Sequence, residues 1–166
     1  MINKSDSNNG MQSSDCITIG RIAPDFTALS TQGVITLSQY RGKWVLLFSQ
    51  PGDFASVATT ELISFAQMYP EFVKRNVELL GITIDNNYSD IGWVLDIYNT
   101  TGIMIPFPIL EDRNAEVVRK YGMVNPDNIY ESSVRDAFII SPSQVIMAII
   151  TYPVSCGRNT YELLRV

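Results

Sequence analysis

The continuous apolar run WVLLFSQ at residues 44–50 and a second strand-like segment, VELLGITID at residues 77–85, bracket a stretch in which Leu62, Phe65, Tyr69, Phe72 and Val73 recur at helical spacing. Short runs of this kind suit strands covered on both faces. A strand, helix, strand order brings the two strands parallel through a right-handed crossover. The intervening helix is expected from about Ser56, with Pro70 marking a kink or an early end. Further along, DIGWVLDIYN and NAEVVRKYG read as helices and FPIL as a short strand. VRDAFII and QVIMAII read as strands joined by the tight turn SPSQ, and TLSQYRGK as a short helix closed by Gly42. Strands alternating with helices and ending in a hairpin predict an α/β domain, a central mixed β-sheet flanked by helices on both faces.

That order is the order of a thioredoxin-like fold. One domain is expected over residues 16–166, which is enough chain for a core when 46% of it is hydrophobic. Residues 1–15 are rich in Ser, Asn and Asp, bury too little apolar surface to offset the entropy of ordering, and are read as a flexible tail. With a net charge of −5 and a pI near 4.6, the chain has no basic cluster to neutralise phosphates, so neither nucleic acid nor an anionic membrane is an expected partner. The apolar runs fall far short of the roughly 20 residues that cross a bilayer. The first residues lack the apolar stretch of a secretory signal, and a cytoplasmic protein is expected.

The chain contains no histidine and two cysteines, Cys16 and Cys156. Zinc sites of the usual Cys/His type are therefore not expected, nor is any cofactor. The usual general base near pH 7 is missing too, which excludes Ser-His-Asp and Cys-His hydrolases. What chemistry remains must use arginine, carboxylates, hydroxyls or a single thiol.

Against that inventory stands SQPGDFASVATTEL, residues 49–62. A Pro-Gly-Asp bend follows a buried strand and leads through small residues into an amphipathic helix. Ligands of α/β sheets collect at such places, where the helix start presents backbone N–H groups. A cysteine there would have its thiolate stabilised by the helix dipole and by any nearby arginine. This chain has alanine, at Ala55 and Ala58.

The segments IGRIAPDFTA, LSQYRGKWVLLFSQPGDF, ATTEL, LLGITID, IPFPILED, YGM, VRDAFIISP and YPVSCGRNTYELLRV, spread over residues 17–166, resemble in order and spacing the peroxiredoxins of the alkyl hydroperoxide reductase/thiol-specific antioxidant family, and in particular their one-cysteine branch. The resemblance implies thiol-dependent reduction of hydroperoxides at a Pro-x-x-x-Thr-x-x-Cys turn with an arginine. Carried onto this sequence, the proline is Pro51, the threonine position holds Ala55 and the peroxidatic cysteine position holds Ala58. The family's two pocket arginines match Arg135 and Arg158, and Glu61 matches the glutamate after the motif. The one-cysteine branch resembles SHP where this chain has Ser49, Gln50 and Pro51, and it often has histidine where Asp90 stands. Relatives usually continue past the position of Val166 with an arm that contributes to dimer contacts.

In the implied mechanism the thiolate attacks a peroxide oxygen and becomes sulfenic acid, so the sulfur is itself the reductant. Alanine at 58 therefore predicts no peroxidase turnover at that site, rather than slow turnover. The threonine position, the histidine position and the C-terminal extension all depart together with position 58, which fits natural divergence better than a single engineered Cys-to-Ala change. The expected role is a binding or assembly homologue, as a homodimer or paired with an active relative, with room for a small peroxide or anion in the vestigial pocket.

Two alternatives stand beside it. One is an active antioxidant peroxidase, through an introduced substitution at Ala58 or through Cys156 as a substitute thiol. The other is a thiol redox sensor using Cys16 or Cys156. Cys156 also reads as a small buried apolar residue. Arg135 reads equally as a remnant of peroxide binding or as half of an ion pair with Glu61. Trp44, Trp93 and the Tyr/Phe set are expected on core faces.

Overall fold

The computed structural model describes residues 17–123 and 135–166. The expected tail, Cys16 and the boundary at residue 16 lie outside them. The seven strands among these residues are β1 (Thr27–Ser30), β2 (Gly33–Thr36), β3 (Trp44–Ser49), β4 (Val77–Thr83), β5 (Ile109–Glu111), β6 (Arg135–Ile140) and β7 (Ile146–Tyr152). The helices are α1 (Ser56–Lys74), α2 (Asn87–Thr101), α3 (Glu116–Lys120) and α4 (Thr160–Arg165). The strands form one sheet in the order β2-β1-β5-β4-β3-β6-β7. β4 pairs in parallel with β3 and β5, while β6 runs antiparallel to both β3 and β7.

The apolar run of β3 divides between the two faces by strand alternation. Val45 and Leu47 join Leu80, Ile82, Phe138 and Tyr121 on the face covered by α3. Leu46 and Phe48 join Leu62, Phe65, Trp93, Ile97 and Leu163 on the face covered by α1, α2 and α4. Helices thus lie on both faces, as expected, with most of the helical mass on one.

Three features differ from the sequence reading. α1 continues through Pro70 to Lys74; Pro70 is on the exposed face, and Phe72 beyond it is buried and keeps the last turn on the sheet. The hairpin of β1 and β2 was not expected, because two four-residue strands carry too few alternations to stand out; its turn is made by Gly33 at φ 104°. α4 was likewise missed, and its start is set by Asn159, whose side chain accepts from the backbone N–H groups of Tyr161 and Glu162. The TLSQYRGK helix is a single 3-10 turn, Leu37–Tyr40, followed by Gly42 at φ 89°.

Gly81 sits at the centre of the sheet, where a β-carbon would lie 2.7 Å from Ile109 Cδ1 and 3.3 Å from Phe48 Cζ. Gly81→Ala is therefore expected to overpack this layer and cost about 1–3 kcal/mol. Urea denaturation checks it; an unchanged midpoint would mean that Ile109 and Phe48 yield freely.

Candidate functional site

β3 ends at Ser49, and the chain turns through Gln50, Pro51, Gly52 and Asp53 into α1. Phe54 takes a left-handed conformation, φ 56°, and its side chain is 55% exposed. This corrects the expectation that the aromatic residues all lie on core faces; Tyr88 is exposed as well. The first residue before α1 is Ala55, which gives the helix no side-chain cap, so the first N–H groups of α1 have no partner from that residue.

Ala58 lies in the first turn of α1 and is 0% exposed, packed in the same cluster as Phe48, Leu62 and Phe65. Ala55 packs against that cluster and Pro51 is half-buried. Pro51, Ala55 and Ala58, the positions to which the resemblance carries the motif, therefore lie near the carboxyl end of β3.

One turn further along α1, Glu61 is buried between both arginines. Arg135 Nη1 donates to Glu61 Oε2 at 2.6 Å. Arg158 donates from Nε to Oε1 and from Nη2 to Oε2, each at 3.0 Å, and its backbone N–H also donates to Oε1. Arg135 further donates to Gln50 Oε1 at 3.2 Å and to the Val154 carbonyl at 2.8 Å. Arg158 donates to the Asp136 carbonyl at 2.7 Å, and its guanidinium lies 5.2 Å from the centre of the Phe48 ring. Burial pulls the Arg158 guanidinium below its ordinary value, and the Glu61 carboxylate opposes that pull. The Arg135–Glu61 ion pair, one of the two equal readings of Arg135, is present, and Arg158 makes it a triad.

Gln50 and Asp136 complete this shell. Gln50 was noticed only as a departure from a motif, and its buried Nε2 has no hydrogen-bond partner among the described residues. Asp136 is buried beside Arg135 and accepts from Thr151 at 2.6 Å; burial raises its carboxyl, and Thr151 and Arg158 oppose the rise. The adjacency of Arg135 and Asp136 in the sequence was the available signal.

Cys156 corrects another expectation. It is exposed rather than a small core residue, because its N–H closes a turn onto the Pro153 carbonyl that carries the side chain outward. The neighbouring Gly157 nevertheless lies against the start of α1, where a β-carbon would be 3.4 Å from Val57 Cγ1. Among the described residues no group of His, Cys, Asp and Glu could hold a metal ion, and no helix is long and apolar enough to cross a membrane.

The sequence model of the AhpC/TSA family matches residues 19–149, a span that includes the turn, Glu61 and Arg135. The chain belongs to this family. Peroxiredoxin 2 of Caldanaerobacter subterraneus subsp. tengcongensis is 52% identical over 148 residues, covering 89% of this chain and 67% of the relative. The peroxiredoxin of Thermoplasma volcanium is 49% identical over 150 residues, 90% of this chain and 73% of the relative. Among solved structures, a yeast mitochondrial 1-Cys peroxiredoxin superposes with a TM-score of 0.83 at 39% identity, covering 90% of this chain and 74% of that one. A mutant of the peroxiredoxin 6 of Arenicola marina also gives 0.83, at 36% identity over 90% of this chain and 71% of that one. This peroxiredoxin thus has the thioredoxin-like fold of those structures, with alanine in the first turn of α1.

Removing one partner of a buried ion pair leaves an uncompensated charge at a cost of about 3–5 kcal/mol. Glu61→Gln is expected to destabilise this peroxiredoxin by that order, measured by urea denaturation at neutral pH. A loss below about 1 kcal/mol, the range of exposed pairs, would show that the triad does not hold the fold.

Proposed function

We propose that this peroxiredoxin does not turn over peroxide at position 58 and acts instead as a binding or assembly homologue. The observation that carries the reading is Ala58: a wholly buried methyl group stands in the first turn of α1, where the family reaction needs an oxidisable sulfur. An oxyanion hole deprived of its nucleophile can still assist a hydrolysis. A two-electron reduction has no such residue of activity, because the electrons come from the missing atom. Arg135, the unpartnered Gln50 Nε2 and the uncapped start of α1 supply donors for a small peroxide or anion. β7 is an outer strand of the sheet; its start is paired with Gly20 and Arg21, and the edge beyond Ile146 is the surface on which a second copy or an active relative would add. The protein is expected to work in the cytoplasm.

A second reading has its own observation. Cys156 is exposed, and the adjacent Gly157 lies close enough to the start of α1 that a β-carbon on it would be 3.4 Å from Val57 Cγ1. A thiolate there would attack peroxide, form sulfenic acid and release water, with an added dithiol restoring the thiol.

Peroxide consumption with excess dithiothreitol separates the two. The chain as it stands is expected to show none above the uncatalysed rate, while the Ala55→Thr/Ala58→Cys variant is expected to gain turnover. Turnover by the unaltered chain overturns the first reading, and its loss on Cys156→Ala would establish the second.

A further inference from the structure

The turn that carries Pro51 to Ala55 is fixed on one side by the arginine triad and on the other by carboxyl groups. Asp90, in the first turn of α2, is 0% exposed. Its Oδ1 accepts from Thr83 Oγ1 at 3.0 Å, and Thr83 Oγ1 in turn accepts from the backbone N–H of Asp85 at 3.1 Å. Asp85 Oδ2 accepts from the backbone N–H of Asp53 at 2.7 Å. Three elements, the turn before α1, the loop after β4 and α2, thus bring carboxyls to one place.

What the cluster lacks is a well-placed donor. Among the described residues none lies in hydrogen-bond geometry to Asp90 Oδ2 or to the buried carboxyl oxygens of Asp53, although the Ser89 side chain beside Asp53 favours its ionised form. The charged groups that act on Asp90 are Asp53 and Asp85. From the β5 side the adjacent group is also an acid, Glu111, whose Oε2 accepts from the Asn87 N–H at 2.6 Å. No cation among the described residues forms an ion pair with any of these acids. Asp53 and Asp90 act directly on each other, and two carboxylates so placed in such surroundings cannot both stay ionised. A single proton between Asp90 and Asp53 supplies the missing donor and removes the repulsion.

We propose that Asp53 and Asp90 share a proton and so latch the turn ahead of α1 onto α2, a latch that opens when the pair loses that proton to solvent as pH rises. Desolvation, joined by the Asp53 charge, pushes Asp90 up to about 8, and desolvation raises Asp53 as well. An acid raised in the folded state contributes stability that is full below its ordinary value of 3.8 and is lost as pH rises through about 8. The latch is therefore closed at neutral pH and open in mild alkali.

The opening has a reporter beside it. The Phe54 ring lies 6.5 Å from that of Trp93, three residues after Asp90 on α2. Trp93 Nε1 donates to Thr59 Oγ1 on α1 at 2.9 Å. Release of Asp53 alters the packing of Phe54 on Trp93.

Carboxyl carbon NMR on the native chain and fluorescence of Trp93 in a Trp44→Phe background test this. Neither readout depends on peroxide chemistry or on the fate of the proposed function. Asp90 is expected to titrate with a midpoint near 8, and Trp93 emission to change over the same range and become flat in Asp90→Asn. An Asp90 midpoint below about 5, in the ordinary carboxyl range, overturns the proposal on the native chain even if the variant fails to fold. Constant Trp93 emission across the titration, or a change that survives Asp90→Asn, overturns it equally.

Discussion

The Glu61 carboxylate is the point at which α1, β6 and the segment after β7 are held together. Its partners are 74 and 97 residues away in sequence, so closing these contacts orders most of the domain. Taking three charged groups out of water costs more than one bond returns, and the arrangement is stable only if nearly every donor and acceptor is used. Both Glu61 oxygens receive two donors each. The spare guanidinium N–H groups reach Gln50, Val154 and Asp136. The start of α1 is thereby fixed against the carboxyl end of β3, whatever side chain occupies position 58.

This separates what shapes the site from what reacts in it. Losing Glu61 strands two guanidinium charges in the core. Placing alanine at 58 does not, since a methyl group is at home among Phe48, Leu62 and Phe65. The two arginines are thus evidence for folding at least as much as for any role in peroxide binding. The family relation establishes the fold, and reactivity has to be argued from the side chains present.

How much of this was legible in the sequence depended on the range of each signal. β3 and β4 were clear because long apolar runs admit few alternatives, and α1 because its apolar positions repeat over several turns. β1, β2 and α4 are too short for periodicity, and they are set by turn chemistry at Gly33 and Asn159. Within the site, Pro51, Glu61, Arg135 and Arg158 were found by resemblance to a motif, and the motif also places them together in space. Asp136, Gln50 as an arginine partner and the convergence of Asp53 with Asp90 carry no local pattern. They result from strand register and from the approach of α2 to the turn, which only the assembled sheet defines.

The two sides of the turn differ in which proton and charge distribution the fold selects. On the triad side, guanidinium groups outnumber the carboxylate between them, and the uncapped helix start adds further positive potential. On the α2 side every charged neighbour is an acid, and the donors are the hydroxyls of Thr83 and Ser89. Asp53 is only half-buried, close to the start of α1, whereas Asp90 is sealed and accepts from a single hydroxyl. Desolvation penalises the ionised form more strongly at the sealed position. In the proposed pair the negative charge resides on Asp53, where the Ser89 side chain and the helix start favour it, and the proton resides on Asp90. The turn is consequently drawn toward α1 by that charge and toward α2 by that proton. Asp53, through both attractions, is the residue that links the packing of the two helices at the mouth of the site.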